Sequence, residues 1–212
     1  MHWPQAFTTE GKVLTPDESP TFVETWSVME KLVESGKTKS IGVSNFSVKT
    51  LEILLRHAKL IPVANQVELH PCLPQHALLK YCISRGILLT AYSPLGKYKI
   101  ASDPDIVAIA DRMTIEYGEV SPAQVMLSWG VQRGTAVIPR TLHEERMKQN
   151  MRLLTLSDED MHVLDGLHLK PGMHRSVCGF HSSDLGGSCF GWTYDMLGWD
   201  MVEGGIMRDL TD

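Results

Sequence analysis

Apolar positions along this chain recur in two alternating rhythms. Short runs that are apolar throughout are followed by stretches at helical spacing, with glycine or polar residues between them. Residues 5–19 read as a loop. Ser19-Pro20 is then expected to open a helix, with Ser as N-cap and Pro in the first turn. Val23, Trp26, Met29 and Val33 fall on one face of that helix, and Gly36 closes it. Residues 39–46 predict a short strand running into a polar turn, and Ser47 is expected to cap a helix that lines up Leu51, Leu54, Leu55 and Ala58. The alternation continues with a strand at 61–69, a helix at 74–85 and a strand at 87–92. Helices at 105–116 and 121–133, a strand at 135–139 and a helix at 143–151 come next. Ser157 to Asp160 reads as a capping box onto a last helix through Leu164 and Leu167.

Four strands thus alternate with helices. Strands apolar on both faces, each followed by a helix, predict a parallel sheet covered on both sides. A doubly wound open sheet and a (β/α)8 barrel both satisfy that pattern. Polar residues stand just past the strand ends: Ser44 and Asn45, Gln66, Tyr92 and Ser93, Arg140 and Thr141. In either architecture that edge is where ligands bind. No G-x-G-x-x-G follows a strand and no phosphate-binding P-loop is present, which weighs against a Rossmann site.

Composition narrows the function classes. With 43% apolar and 21% charged residues, the 212-residue chain is ordinary globular material of one-domain size. A net charge of −5 with scattered Lys and Arg argues against nucleic acid and against an anionic membrane surface. No apolar run reaches the roughly 18 residues of a membrane span. Cys72, Cys82, Cys178 and Cys189 match no metal-binding spacing, so no metal is expected, and they read as reduced thiols of a cytoplasmic protein. Beyond residue 168 the periodicity fades. Residues 169–212 form an irregular tail rich in glycine and aromatics, including Phe180, Phe190, Trp192, Tyr194 and Trp199, which reads either as a lid over a pocket, the favoured expectation, or as a loose extension.

Four motifs now stand in order, each at a strand end: Ile41-Gly42-Val43-Ser44-Asn45-Phe46, Asn65-Gln66-Val67-Glu68, Ala91-Tyr92-Ser93-Pro94-Leu95-Gly96 and Val137-Ile138-Pro139-Arg140. Together they resemble an aldo-keto reductase over residues 1–168, and the tail is similar to those of fungal members. The resemblance implies a (β/α)8 barrel holding NADP(H) across its mouth and a small-molecule carbonyl or alcohol substrate. Ser44, Asn45 and Gln66 resemble the residues that hold the nicotinamide carboxamide, and Tyr92 the aromatic stacked on the ring. Ser93, Leu95 and Gly96 resemble the pyrophosphate contacts. Arg140, Thr141 and Arg146 resemble the 2′-phosphate cluster, with Arg140 where many members carry Lys, and Gln149 and Asn150 resemble the adenine contacts. Two guanidinium groups and a hydroxyl suit a phosphate better than a ribose hydroxyl.

His2-Trp3-Pro4 resembles the end of a barrel strand, with His2 as the histidine that orients the carbonyl and Trp3 as a wall of the substrate pocket. The family's proton donor is a tyrosine supported by a lysine and an aspartate on its first three β/α units. The resemblance therefore implies an incomplete barrel, about the C-terminal half to two-thirds, that keeps the cofactor site and lacks the Tyr/Lys/Asp segment. Tyr81, Tyr98, Tyr117 and Tyr194 are not expected to substitute, His70 is expected to be structural, and His2 is expected to be mobile. The four strands would expose edges at 39–46 and 135–139, which invites self-association.

Overall fold

In the computed structural model, which describes residues 1–98 and 100–208, the chain is α/β. Helix α1 (Phe22–Glu34) starts two residues later than the sequence suggests: Thr21, not Ser19, supplies the cap, closed into a capping box by Glu24. Strand β1 (Val43–Ser44) leads through the Ser47 cap into α2 (Val48–Leu55). Strand β2 (Ala64–Glu68), helix α3 (His76–Ser84) and strand β3 (Leu88–Tyr92) follow. Helices α4 (Pro104–Tyr117) and α5 (Pro122–Gln132) open on Asp103 and Ser121, each with proline in the first turn, as that residue's fixed φ favours. Strand β4 (Ala136–Val137), α6 (Glu144–Met151) and α7 (Asp158–Asp165) complete the alternation. The last of these stops at Asp165, so Leu167 lies in a separate 3-10 turn over Leu167–Leu169.

The tail is less irregular than its sequence suggests. Strands β5 (His181–Ser182), β6 (Ser188–Cys189) and β7 (Trp192–Thr193) form an antiparallel sheet. A short helix, α8 (Tyr194–Leu197), and a hairpin of β8 (Met201–Val202) and β9 (Ile206–Met207) follow.

Strands β1 to β4 lie in one sheet in sequence order. The parallel pairs set Val43 opposite Asn65 and Ser44 opposite Gln66, and Thr90 opposite Ala136 and Ala91 opposite Val137. By internal contacts the chain divides into two compact units. One comprises residues 1–67, 76–89 and the chain from Cys178 onward; the other comprises 68–75 and 90–177.

In the first unit Phe22, Trp26 and Glu30 are the buried positions of α1, four residues apart. Trp26 donates its indole N–H to the Leu60 carbonyl at 3.1 Å, and the Phe22 ring meets Phe46 edge-on at 5.4 Å. Gly42 lets β1 approach β2, because a Cβ there would sit 2.9 Å from the Ala64 carbonyl oxygen. Buried Asn65 donates Nδ2 to the Phe46 carbonyl at 2.8 Å, tying β2 to the turn that follows β1.

In the second unit α5 is buried from Gln124 through Gly130, which explains its apolar content on every side. Gly130 faces β4, where a Cβ would come within 2.7 Å of Val137. Arg133 lies over the Trp129 ring at 4.3 Å, pairs with Asp165 at 3.2 Å and donates to the Pro74 carbonyl. Among the described residues no helix is long and apolar enough to cross a membrane.

Candidate functional site

The sequence-predicted site residues fall into two groups, each built at strand ends. In the first, Ser44 closes β1 and Gln66 is its register partner. The Ser44 hydroxyl donates to the Gln66 carbonyl at 2.6 Å. Asn45 follows in the left-handed region (φ 64°), a conformation Asn tolerates better than most residues. Its Nδ2 donates to Ser44 Oγ at 3.1 Å and to the His2 carbonyl at 3.0 Å. Ser44 and Asn45 are buried and Gln66 is half-buried, so the array is rigid at its base and open at its tip.

His2 is held more firmly than the sequence suggests. Besides the Asn45 bond to its carbonyl, the preceding Met1 amino group donates to the Gly42 carbonyl at 2.7 Å. The imidazole itself is exposed. Trp3 meets Phe180, Phe190 and Trp199 at centroid distances of 5.2, 5.0 and 5.9 Å, edge-on or tilted as aromatic quadrupoles prefer. Sequence reasoning read Trp3 as a wall of the substrate pocket or as packing on the helix, and named neither Phe180 nor Phe190 as its partner. Their glycine-punctuated spacing was the sole signal.

The second group follows β3 and β4. Tyr92 ends β3 half-buried, and the chain then turns through left-handed Ser93 (φ 50°), Gly96 (φ 53°) and Lys97 (φ 52°), with Leu95 buried. Left-handed residues in such turns direct backbone N–H groups into a shared concavity suited to anions. After β4, Arg140 and Arg146 are exposed and join no ion pair among the described residues. Thr141 Oγ1 accepts from the backbone N–H of His143, the residue preceding α6. Gln149 and Asn150 lie half-buried in the last turn of α6. Opposing charge is present too: Glu144 and Glu145 open α6, though both pair with Lys148 at 3.0 and 2.9 Å.

The remaining tyrosines are occupied elsewhere. Tyr194 is buried, and its hydroxyl lies 3.0 Å from His181 Nδ1; burial, foremost, raises its phenol above the ordinary value. The charge of neighbouring Glu116 raises the Tyr117 phenol, and Arg85 lies over the Tyr81 ring at 5.4 Å. The Tyr98 side chain lies outside the described residues. All four cysteines are free thiols; burial pushes Cys72 and Cys189 up to about 12 and Cys82 to about 11. Among the described residues no cluster of three or more His, Cys, Asp or Glu could hold a metal ion.

The sequence model of the aldo/keto reductase family matches residues 1–168, which takes in the ends of β1 to β4. The chain belongs to the aldo/keto reductase family. It is 42% identical over 160 residues to a glycerol 2-dehydrogenase (NADP(+)) of Saccharomyces cerevisiae, covering 74% of this chain and 50% of that protein. Over 181 residues it is 40% identical to a D-galacturonate reductase of Hypocrea jecorina, covering 78% and 56%. Among solved structures it is similar to an aldo-keto reductase of Bombyx mori in complex with NADP, with a TM-score of 0.74 and 27% identity over 84% of this chain and 58% of the other. A second aldo-keto reductase, complexed with NADPH, gives a TM-score of 0.68 and 32% identity over 78% and 52%. This aldo/keto reductase chain spans about half the length of the curated relatives it matches. The architecture of its fold neighbours is the barrel type, in agreement with the four parallel strands in sequence order.

Proposed function

We propose that this chain is the cofactor-gripping part of an NADP(H)-dependent oxidoreductase that interconverts an aldehyde or ketone with its alcohol. The observation that carries the reading is the hydrogen-bonded array of Ser44, Asn45 and Gln66 at paired strand ends, with the His2 carbonyl tied into it. Hydroxyl and amide groups held this rigidly suit a carboxamide, which presents one acceptor and two donors in a plane. Fixing that plane fixes which face of an attached ring meets the substrate, and Tyr92, at the end of β3, offers an aromatic face on which such a ring can stack. The turn over Ser93, Leu95 and Gly96, left-handed at Ser93 and Gly96, suits a pyrophosphate. Arg140, Thr141 and Arg146 offer charge-assisted hydrogen bonds to a 2′-phosphate, and Gln149 and Asn150 polar edges to adenine.

The reduced dinucleotide supplies the hydride when bound. His2 orients the carbonyl from its exposed imidazole, and Trp3 with the tail aromatics walls the substrate side, so the tail from residue 169 acts as a lid. We assign the proton donor, with its lysine and aspartate, to a segment outside these 212 residues, because a buried phenol with a raised pKa such as Tyr194 is a poor acid. The chain itself should therefore bind without turnover. Four free thiols support a cytoplasmic setting, and the strands at the two ends of the sheet order support self-association.

Fluorescence titration with NADPH and NADH tests this. NADPH should bind, and replacing Arg140 and Arg146 together with Ala should weaken NADPH by roughly tenfold or more while leaving NADH affinity unchanged, about 1.4 kcal/mol per decade. Absence of NADPH binding, or equal losses for both nucleotides, would overturn the reading.

A further inference from the structure

Glu68 ends β2, two residues beyond Gln66, and its carboxylate is buried. Burying a charge is costly unless it is fully hydrogen-bonded. Here Oε1 accepts the Val177 backbone N–H at 2.7 Å and lies 3.0 Å from His70 Nε2, while Oε2 accepts the Ser176 hydroxyl. His70 and Ser176 are buried as well. The Glu68 carbonyl also accepts from Gln75 Nε2 at 3.2 Å. Ser176 and Val177 lie beyond the family-matched residues and directly precede the segment that carries Phe180, Phe190 and Trp199.

We propose that Glu68 is a positioning residue that pins the point where the chain enters its aromatic tail. One carboxylate satisfies a backbone N–H and a side-chain hydroxyl on adjacent residues, which fixes both position and direction of the chain there. The pin stands on this geometry. It does not depend on the function proposed above.

Hydrogen exchange of the full chain, read over residues 177–207, tests the pin. Glu68→Leu keeps the bulk and removes both acceptors, so tail amides should exchange roughly tenfold or more faster, while α1 and α5 are unchanged. Glu68→Gln can keep all three bonds with the Ser176 hydroxyl reversed, and should stay within about threefold of the parent. Ser176→Ala acts from the tail side and serves if Glu68→Leu does not fold; it should loosen the tail, and Ser176→Thr should restore protection. Unchanged tail exchange in folded Ser176→Ala would sink the pin, as would equal loosening by Ala and Thr. NADPH titration of the same variants separates the two readings: failure of the parent to bind nucleotide removes the proposed function and leaves the pin standing.

Discussion

Three acidic side chains among the described residues, Glu30, Glu68 and Asp160, occupy buried positions; backbone N–H groups account for the first two, and Arg112 with the Ser157 hydroxyl for the third. For Glu68 the balance has a consequence in pH. Burial by itself would raise its pKa, but His70, Ser176 and the Val177 N–H together hold it below the ordinary carboxylate value. The folded state therefore binds fewer protons than the unfolded state, so this contribution is complete above the ordinary carboxylate range. It is lost as pH falls through that range toward the depressed folded pKa. Urea unfolding between about pH 7 and pH 3 should show the parent losing stability with acid more steeply than Glu68→Gln. Parallel profiles for the two proteins would contradict the assignment. Exposed carboxylates such as Glu24 shift in the same direction, so the difference between the two profiles isolates Glu68. At this scale a polar residue ending an apolar strand is conspicuous, which is how the sequence singled out Ser44, Asn45 and Gln66; the structure joins them by hydrogen bonds. His70, expected to be structural, is buried beside Glu68. The partners of Trp3 and Glu68 were not legible, since those contacts join residues more than a hundred positions apart through a segment without periodicity.

Helix α1 shows why element boundaries and faces are harder to read. Its apolar face was legible through Trp26, yet the buried stripe is Phe22, Trp26 and Glu30, so one of its three members is charged. Glu30 Oε1 accepts the backbone N–H groups of Lys59 and Leu60 at 2.7 and 2.8 Å, which anchors the helix to the segment leading into β2. Glu30→Ala leaves two N–H groups unpaired and should cost about 2–4 kcal/mol in urea unfolding. Glu30→Gln keeps an acceptor oxygen and should recover at least half of that loss. Equal losses would mean that charge, and not the acceptor, matters. Strands β1 and β4 are shorter than the apolar runs that announced them, two residues each. Each stands at an end of the sheet order with pairing recorded on one side, so the flanking apolar residues have no second ladder to join.

For the whole molecule, alternating apolar runs and helical stretches were enough to foresee a parallel sheet covered on both faces, because that pattern is set by burial on both faces, while the strand order stayed open between a doubly wound sheet and a barrel. The division into two compact units was not foreseeable. Each unit is assembled from separated stretches, and only folded contacts define it. The two end strands make the last expectation. Unpaired edge groups recruit other strands unless charge or cover prevents it. An apolar side chain stands exposed beside one of them: Ile138, just after β4, is 45% accessible. A net charge of −5 spread over 212 residues is weak protection. Sedimentation velocity from about 1 to 50 μM should therefore show a weight-average coefficient that rises with concentration, and Ile138→Lys should suppress the rise by placing charge beside the β4 edge. A single monomeric boundary throughout that range would show that the edges are protected, and would remove self-association from the properties proposed for this chain.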